Sequence, residues 1–194
     1  MFAGLTFKVA AGDERARALE LRHEVYDQDL GYVPIDDIDE RAHHLIAHDE
    51  EGQVLAALRI VGPDQRPFDL DQYVAVSDFV PLDRSPAEIG RFCIRRTHRR
   101  VSSNPFIHFG MLKLAYAFSR KIGITDFIMC TQPHLLEFYR RALFDEVNLS
   151  FEHPMWGRLH VMHLDLTMLE EMASGSRQPM ARLLLSPGLP NIVV

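Results

Sequence analysis

Apolar positions recur in two periods along the chain, every second residue and every third or fourth, and the switches between them mark its elements. Leu5 to Ala10 reads as a first strand. Asp13 then caps a helix running to about Gln28, with Ala18, Leu21 and Val25 as its buried stripe. Arg22 and Tyr26 stand one turn apart on the flank of that stripe, and the residue-level reading of Arg22 is a solvated guanidinium whose stem packs on the helix. His43 to Asp49 and Gln53 to Val61 form a hairpin turning at Glu51-Gly52. Arg59 sits inside its second apolar run and needs a carboxylate there, with Glu88 and Asp39 as candidates.

Pro63 to Pro86 holds four prolines and little periodicity, so it is a long loop. Its Phe68, Leu70, Tyr73, Val74 and Phe79 predict that it packs back on the body, as a lid would. Ala87 to Ile94 is the next strand, Arg95 to Arg100 a basic turn, and Asn104-Pro105 the start of a second long helix. Ile107, Met111, Leu114 and Phe118 give that helix its stripe, and Gly123 stops it. A buried strand over Thr125 to Thr131, a helix over Pro133 to Leu143, and strands near Val147 to His153 and Arg158 to Leu166 follow. Beyond Thr167 come a helical turn or two and the apolar stretch Met180 to Leu185; core packing, a dimer contact and a loose tail all fit it.

The strand Ala87 to Ile94 carries one carboxylate, Glu88, and one guanidinium, Arg91, in an otherwise apolar run. Burying either without a partner is expensive, so a strand that keeps both has a structural salt bridge or a functional site to explain it. Alternation puts Glu88, Gly90, Phe92 and Ile94 on one face and Ile89, Arg91 and Cys93 on the other, while bare Gly90 leaves room for a ligand or a bulge. Asp36, Asp37 and Asp39 make an acidic connection that is either solvated or a partner for a buried arginine, and their spacing lacks the long loop of a calcium hand. Arg95 to Arg100, entering a helix N-terminus, is the best anion site in the chain, against the alternative of a solvated basic turn.

Composition narrows the class. The 194 residues suit one domain with a tail, 1–166 and 167–194, and a net charge of -6 argues against a general nucleic-acid binder. Cys93 and Cys130 both lie in apolar strand-like runs and read as buried core thiols, which suits the cytoplasm. No signal peptide and no membrane-length apolar run is visible. The ten histidines lack partners at zinc spacing, so no metal is expected. Walker, dinucleotide and Gly-x-Ser-x-Gly signatures are absent from the sequence.

The order of strand, helix, hairpin, strand, helix, strand, helix and closing strand pair resembles the GCN5-related N-acyltransferase (GNAT) fold over roughly Leu5 to Leu166. That resemblance implies a three-layer α/β (α+β) fold: a mixed, mostly antiparallel sheet of about seven strands, helices on both faces and a splayed central strand pair. Phe138-Tyr-Arg-Arg-Ala-Leu-Phe144 is similar to the family's tyrosine helix leading into Gly-Phe, with Leu143 in the glycine's place. Arg99-Arg-Val-Ser-Ser-Asn104 aligns with its acyl-CoA loop, with Ser102 and Asn104 at the glycine positions.

Arg22 with Val25-Tyr26, Asp36 and Asp39, Arg59, and Glu88 with Arg91-Phe92 follow the order of motifs in one branch, the N-acyl amino acid synthases and acyl-homoserine-lactone synthases. The lactone synthases carry a tryptophan where this chain has Gly31-Tyr32, which tilts the resemblance toward the amino acid synthases. It implies an acyltransferase that moves a fatty acyl group from acyl carrier protein or acyl-CoA to a small amine, with no tightly bound cofactor. Glu88 would serve as base and Tyr139 as acid, with the backbone of Phe92 and Cys93 at the oxyanion. Arg22, Tyr26, Asp36, Asp39, Arg59 and Arg91 would form the acceptor site. Arg95, Arg99, Arg100, Ser102, Ser103 and Asn104 would hold the donor phosphate or an acidic carrier protein. The alternatives are an acetyl-CoA-dependent small-molecule acetyltransferase and a non-catalytic acyl-carrier-binding module; a homo-oligomer through the C-terminal extension is also compatible.

Overall fold

A computed structural model describes residues 4–31, 36–99, 105–174, 179–186 and 191–194. Its strands are Thr6–Val9 (β1), His43–His48 (β2), Val54–Val61 (β3), Pro86–Ile94 (β4), Asp126–Thr131 (β5), Asp145–His153 (β6), Gly157–Asp165 (β7) and Ile192–Val193 (β8). Its helices are Asp13–Leu30 (α1), Ile38–Arg41 (α2), Pro105–Lys121 (α3), Leu136–Arg141 (α4), Leu166–Ser174 (α5) and Pro179–Leu185 (α6). The chain divides into two units: Met1–Ile60 with Gly90–Ser119 and Pro187–Val194, and Val61–Ile89 with Arg120–Ser186. The boundary falls inside β4, so each unit owns part of that strand.

In the first unit the strand order is β4-β3-β2-β1-β8. Ala18, Leu21 and Val25 of α1 are buried against Ile46, Val54, Ala57 and Cys93, the stripe read from the spacing. Each such leucine or valine contributes roughly 1.5–3 kcal/mol when fully buried. The expected cap at Asp13 is corrected: Gly12 is the N-cap and Asp13 the first helical residue, where its charge still favours the helix dipole. Every residue of β3 is buried, as a strand covered on both faces requires. Gly110 lets α3 approach β1, because a Cβ there would lie 2.2 Å from Phe7 Cζ.

The sheet has eight strands rather than about seven. The extra one is β8, whose Ile192 and Val193 pair in parallel with Phe7 and Lys8 of β1. Two residues of strand carry no periodicity to read, so the sequence pattern could not reveal it.

The second unit has the order β6-β7-β5-β4. β4 and β5 run parallel, matching Pro86 with Asp126, Ala87 with Phe127 and Glu88 with Ile128. The ladder ends there although β5 continues to Thr131, as a splayed central pair requires. The long loop is ordered by three 3₁₀ turns, Pro63–Gln65, Leu70–Gln72 and Val76–Asp78. Its Phe68, Leu70, Val76 and Val80 are buried, so it is packed core rather than a raised lid. Tyr73 stacks on Phe151 with ring centroids 4.2 Å apart. The helix read over Pro133 to Leu143 is a 3₁₀ turn followed by α4. It closes with Leu143 N–H bonding the Arg140 carbonyl and Phe144 N–H the Tyr139 carbonyl, both at 3.0 Å. That is the Schellman pattern, and Leu143 accepts the left-handed φ of 74° that glycine usually takes. No helix among the described residues is long and apolar enough to cross a membrane.

Candidate active site

The first unit holds a cluster of buried charge. Arg22 is 2% exposed, which corrects the solvated reading of this side chain. Its Nη1 donates to Asp39 Oδ1 at 2.8 Å, and its Nη2 is in close contact with Asp39 Oδ2. Arg59 Nη1 donates to the same Asp39 Oδ1 at 3.1 Å and to Asp36 Oδ1 at 2.8 Å. Of the two candidate partners for Arg59, Asp39 is one that it meets. Asp36 also reaches Arg91 Nη2, at 3.4 Å through Oδ2. Thus Arg22, Asp36, Asp39, Arg59 and Arg91 come together, from α1, the acidic connection, β3 and β4.

Local backbone explains how the acids are aimed. Asp36 N–H donates to Asp39 Oδ2 at 3.2 Å, and Asp39 N–H to the Asp36 carbonyl at 3.0 Å, so each orients the other. His44 lies across from Arg59 on β2 and donates from Nε2 to the Asp39 carbonyl at 2.9 Å. Burial pushes the His44 pKa down, more than the Asp39 interactions lift it, so the ring stays neutral. Burial acts to raise the Asp39 pKa, but the hydrogen bonds and charges of Arg22 and Arg59 outweigh it and hold the carboxyl below its usual range.

On β4 the strict alternation fails at Arg91, whose φ of 53° is left-handed. The irregularity suggested by Gly90 falls one residue later. A non-glycine residue in this region costs about 1–3 kcal/mol and persists only where its surroundings enforce it. After the turn, the Phe92 ring meets His108 of α3 edge-on, with centroids 5.6 Å apart. Cys93 packs into the core cluster, where burial pushes its thiol up to about 12 and leaves it inert as a nucleophile. Tyr26 packs against the same cluster. The second cysteine, Cys130, is half-buried rather than buried.

Two members of the basic turn are engaged by α1. Arg95 Nη1 bonds Glu24 Oε2 at 2.8 Å, and Arg99 pairs with Asp29 while its Nε donates to the Ile94 carbonyl at 2.7 Å. Arg95 also lines an open groove of ≈ 370 Å³ with Arg17, Glu20, Glu24 and Glu51, so an anion there competes with three carboxylates. Arg100, Ser102, Ser103 and Asn104 lie outside the described residues, as does Tyr32.

In the second unit Glu88 is buried at 7% exposure, and Leu70 N–H donates to its Oε2 at 3.2 Å. One residue that orients it therefore comes from the long loop, which the motif pattern does not connect to it. Tyr139 of α4 contacts the Phe138 and Phe144 rings edge-on. Burial pushes its phenol up to about 12, with Cys130 adding to the effect.

The same unit contains a network that the sequence pattern does not reveal. Arg84 Nε donates to Asp126 Oδ2 at 2.8 Å and its Nη2 lies 2.6 Å from Asp165 Oδ1; His163 Nε2 is 2.8 Å from Asp126 Oδ1. Burial opposes the Asp126 charge, but His163, Arg84 and Thr125 outweigh it and hold the carboxyl far below the usual range. An aspartate opening a buried strand was the available signal.

Residues 18–106 match the family described as the acetyltransferase (GNAT) domain. No curated protein matches the sequence. Among solved structures, FeeM, an N-acyl amino acid synthase from uncultured soil microbes, superposes with a TM-score of 0.71 at 16% identity, over 84% of this chain and 90% of that one. BjaI, a CoA-dependent acyl-homoserine-lactone synthase, gives 0.67 at 15% identity, covering 98% and 93%. An acyl-CoA N-acyltransferase from Pseudomonas aeruginosa gives 0.59 at 23% identity, covering 82% and 97%. The fold is the GNAT fold, and the match over residues 18–106 supports acyltransferase chemistry of the GNAT type.

Proposed function

We propose that the protein joins an acyl group, carried as a thioester on acyl carrier protein or CoA in the cytoplasm, to the amine of an amino acid or related small molecule. The observation that carries this reading is the buried Glu88 carboxylate at the last pair of the β4–β5 ladder. It is followed on the same strand by the left-handed turn at Arg91. The similarity in fold to FeeM and BjaI, and the order of the charged motifs, support it.

In the reaction the amine attacks the thioester carbonyl, the C–N bond forms and the thiolate leaves. Glu88 takes the amine proton, directly or through water. Backbone N–H groups of Phe92 and Cys93 stabilise the oxyanion. A thiol titrates near ~8.5, well below Tyr139, so full proton transfer from the phenol to the departing sulfur runs uphill. Tyr139 therefore acts as a hydrogen-bond donor to that sulfur, protonated throughout the neutral range. Arg99 and Arg100 contribute positive charge toward the donor phosphate or an acidic carrier.

Purified protein incubated with acyl carrier protein or CoA thioesters of graded chain length and a panel of amino acids should form N-acyl products detectable by mass spectrometry. Glu88→Gln should lower kcat by about 10²–10⁴ without lowering Tm; unchanged turnover removes Glu88 from the mechanism. The match to an acetyltransferase domain favours a second reading, acetyl transfer from acetyl-CoA to a small amine. Strong thermal stabilisation by acetyl-CoA, with no response to long-chain acyl carrier protein, selects it over the first.

A further inference from the structure

Burial favours the neutral form of a carboxyl group, and a neutral acid cannot serve as a base. Glu88 is 7% exposed, so the groups that stabilise its charged form also govern its use in proton abstraction. One such bond runs from Leu70 N–H to Glu88 Oε2 at 3.2 Å. Its donor is aimed by neighbours in the long loop, all of them within the second unit. Asp71 Oδ2 accepts Phe68 N–H at 2.9 Å, and Asp71 Oδ1 accepts Arg66 Nη2 at 2.8 Å. The Arg66 guanidinium also lies over the Phe68 ring, 4.6 Å from its centroid. Arg66, Phe68 and Asp71 thus form a clasp around the backbone that leads into the 3₁₀ turn Leu70–Gln72. Beyond it, the Leu70 carbonyl accepts Tyr73 N–H at 3.0 Å and Val74 N–H at 3.1 Å. Phe68 and Leu70 themselves are buried, whereas the Asp71 side chain is 23% exposed.

We infer that Asp71 is a positioning residue for Glu88: by holding Phe68 N–H and Arg66 it aims the Leu70 amide at the carboxylate and keeps Glu88 ionised for proton abstraction. An amide that donates to a carboxylate favours its charged form, so slackening the clasp makes Glu88 hold its proton to higher pH. Direct charge effects run the other way. Asp71 is itself an anion, and removing it would by Coulomb's law alone let Glu88 ionise at lower pH. The sign of the change therefore separates aiming from simple electrostatics. The loop's other ionisable groups near Leu70 are Arg66 and Asp69. Across the sheet, Ile128 is the β5 partner of Glu88 and faces His163 on β7, and both His163 and Arg84 bond Asp126. Further along β4, Arg91 reaches Asp36. None of these side chains changes in the test. The assignment rests on the acyltransferase reading for the role of Glu88 as base, but its first measurement needs no turnover.

The test follows the Glu88 carboxyl carbon of the full chain by nuclear magnetic resonance across pH, its signal assigned by its loss in Glu88→Gln. In Asp71→Ala its titration should move to higher pH by about one unit, a roughly tenfold change in proton affinity. Asp71→Asn, which keeps an acceptor for Phe68 N–H, should restore part of the difference. The acid limb of kcat against pH should move with the carboxyl, whereas a merely structural role lowers kcat by the same factor at every pH. A carboxyl titration that stays in place or moves to lower pH in Asp71→Ala overturns the inference. So does a kcat limb that stays in place while the carboxyl moves. The Leu70 amide signal of the unsubstituted protein should also shift as Glu88 titrates, and an amide that ignores this step overturns the inference even where a variant fails to fold. The two readings fail separately. No product from any thioester refutes the acyltransferase, while the carboxyl titration still decides whether Asp71 acts on Glu88. Normal N-acyl products with an unmoved titration refute the part given to Asp71 and leave the acyltransferase standing.

Discussion

Asp39→Asn changes the side chain at the centre of the buried cluster with almost no change in volume. Asp39 holds Arg22 through both carboxylate oxygens and shares Oδ1 with Arg59 at 3.1 Å, and all three residues are 2% exposed. The amide keeps one acceptor but turns its NH₂ toward the Nη2 of Arg22, so a donor faces a donor. At an effective dielectric of about 20, a charge pair at ~4 Å is worth about 4 kcal/mol before desolvation is counted. Arg59 keeps Asp36 at 2.8 Å, so its loss is the smaller of the two. Breaking a buried pair from one side costs about 3–5 kcal/mol, a large share of the ~5–15 kcal/mol that holds a typical domain folded. Urea unfolding followed by tryptophan fluorescence and circular dichroism should show the midpoint falling by roughly 1–2 M, for a slope of ~2–3 kcal/mol/M. The double variant Arg22→Met with Asp39→Leu should recover most of the loss, because it removes both charges together. A cost for Asp39→Asn below about 1 kcal/mol, the range of an exposed ion pair, would refute the reasoning, as would a double variant less stable than either single one.

Three further outcomes follow from the same structure. Asp39, Asp126 and Asp165 all have carboxyl pKa values lowered in the folded state, so their stabilisation is complete above the unfolded value of 3.8 and is lost as the pH falls through the folded values below it; the acid limb of stability against pH should flatten in Asp126→Asn. At Leu143, φ is 74°, so Leu143→Gly should be more stable than Leu143→Ala by about 1 kcal/mol in thermal unfolding, the reverse of the order expected at an ordinary right-handed position. Gly110→Ala should lower stability by about 1–3 kcal/mol, because its Cβ would meet the fully buried Phe7 ring at 2.2 Å; no loss would mean that α3 can move away from β1 freely.

The elements with repeated periodicity are legible in the sequence. The α1 stripe, the β2–β3 hairpin and the α3 start at Pro105 all follow from local spacing, which acts over three or four residues. Arg22 misleads for the converse reason. Its flank position says that the side chain is near the helix edge, but its partner lies 17 residues on, in a short helix that reads as an acidic loop. Composition can supply the candidate acids, and only the fold decides that Asp39 serves Arg22 and Arg59 while Leu70 serves Glu88. Arg84, Asp126, Asp165 and His163 stay invisible for the same reason, being drawn from a loop and two strands far apart in the chain. The left-handed residue at Leu143 is foreshadowed by its glycine-like place in the motif, whereas the one at Arg91 is displaced from the neighbouring glycine.

The pairing of β8 with β1 bears on how the polypeptide is made. The first unit is assembled from three separate stretches, and the last supplies Asn191, whose carbonyl takes the Phe7 N–H at 2.8 Å, and Ile192 and Val193, which lie along β1. During synthesis the outer side of β1 therefore waits, unmatched, until the stretch from Asn191 to Val193 has been translated. A chain that has not yet reached Asn191 presents an open hydrogen-bonding edge along β1, and Ile192 and Val193 close it.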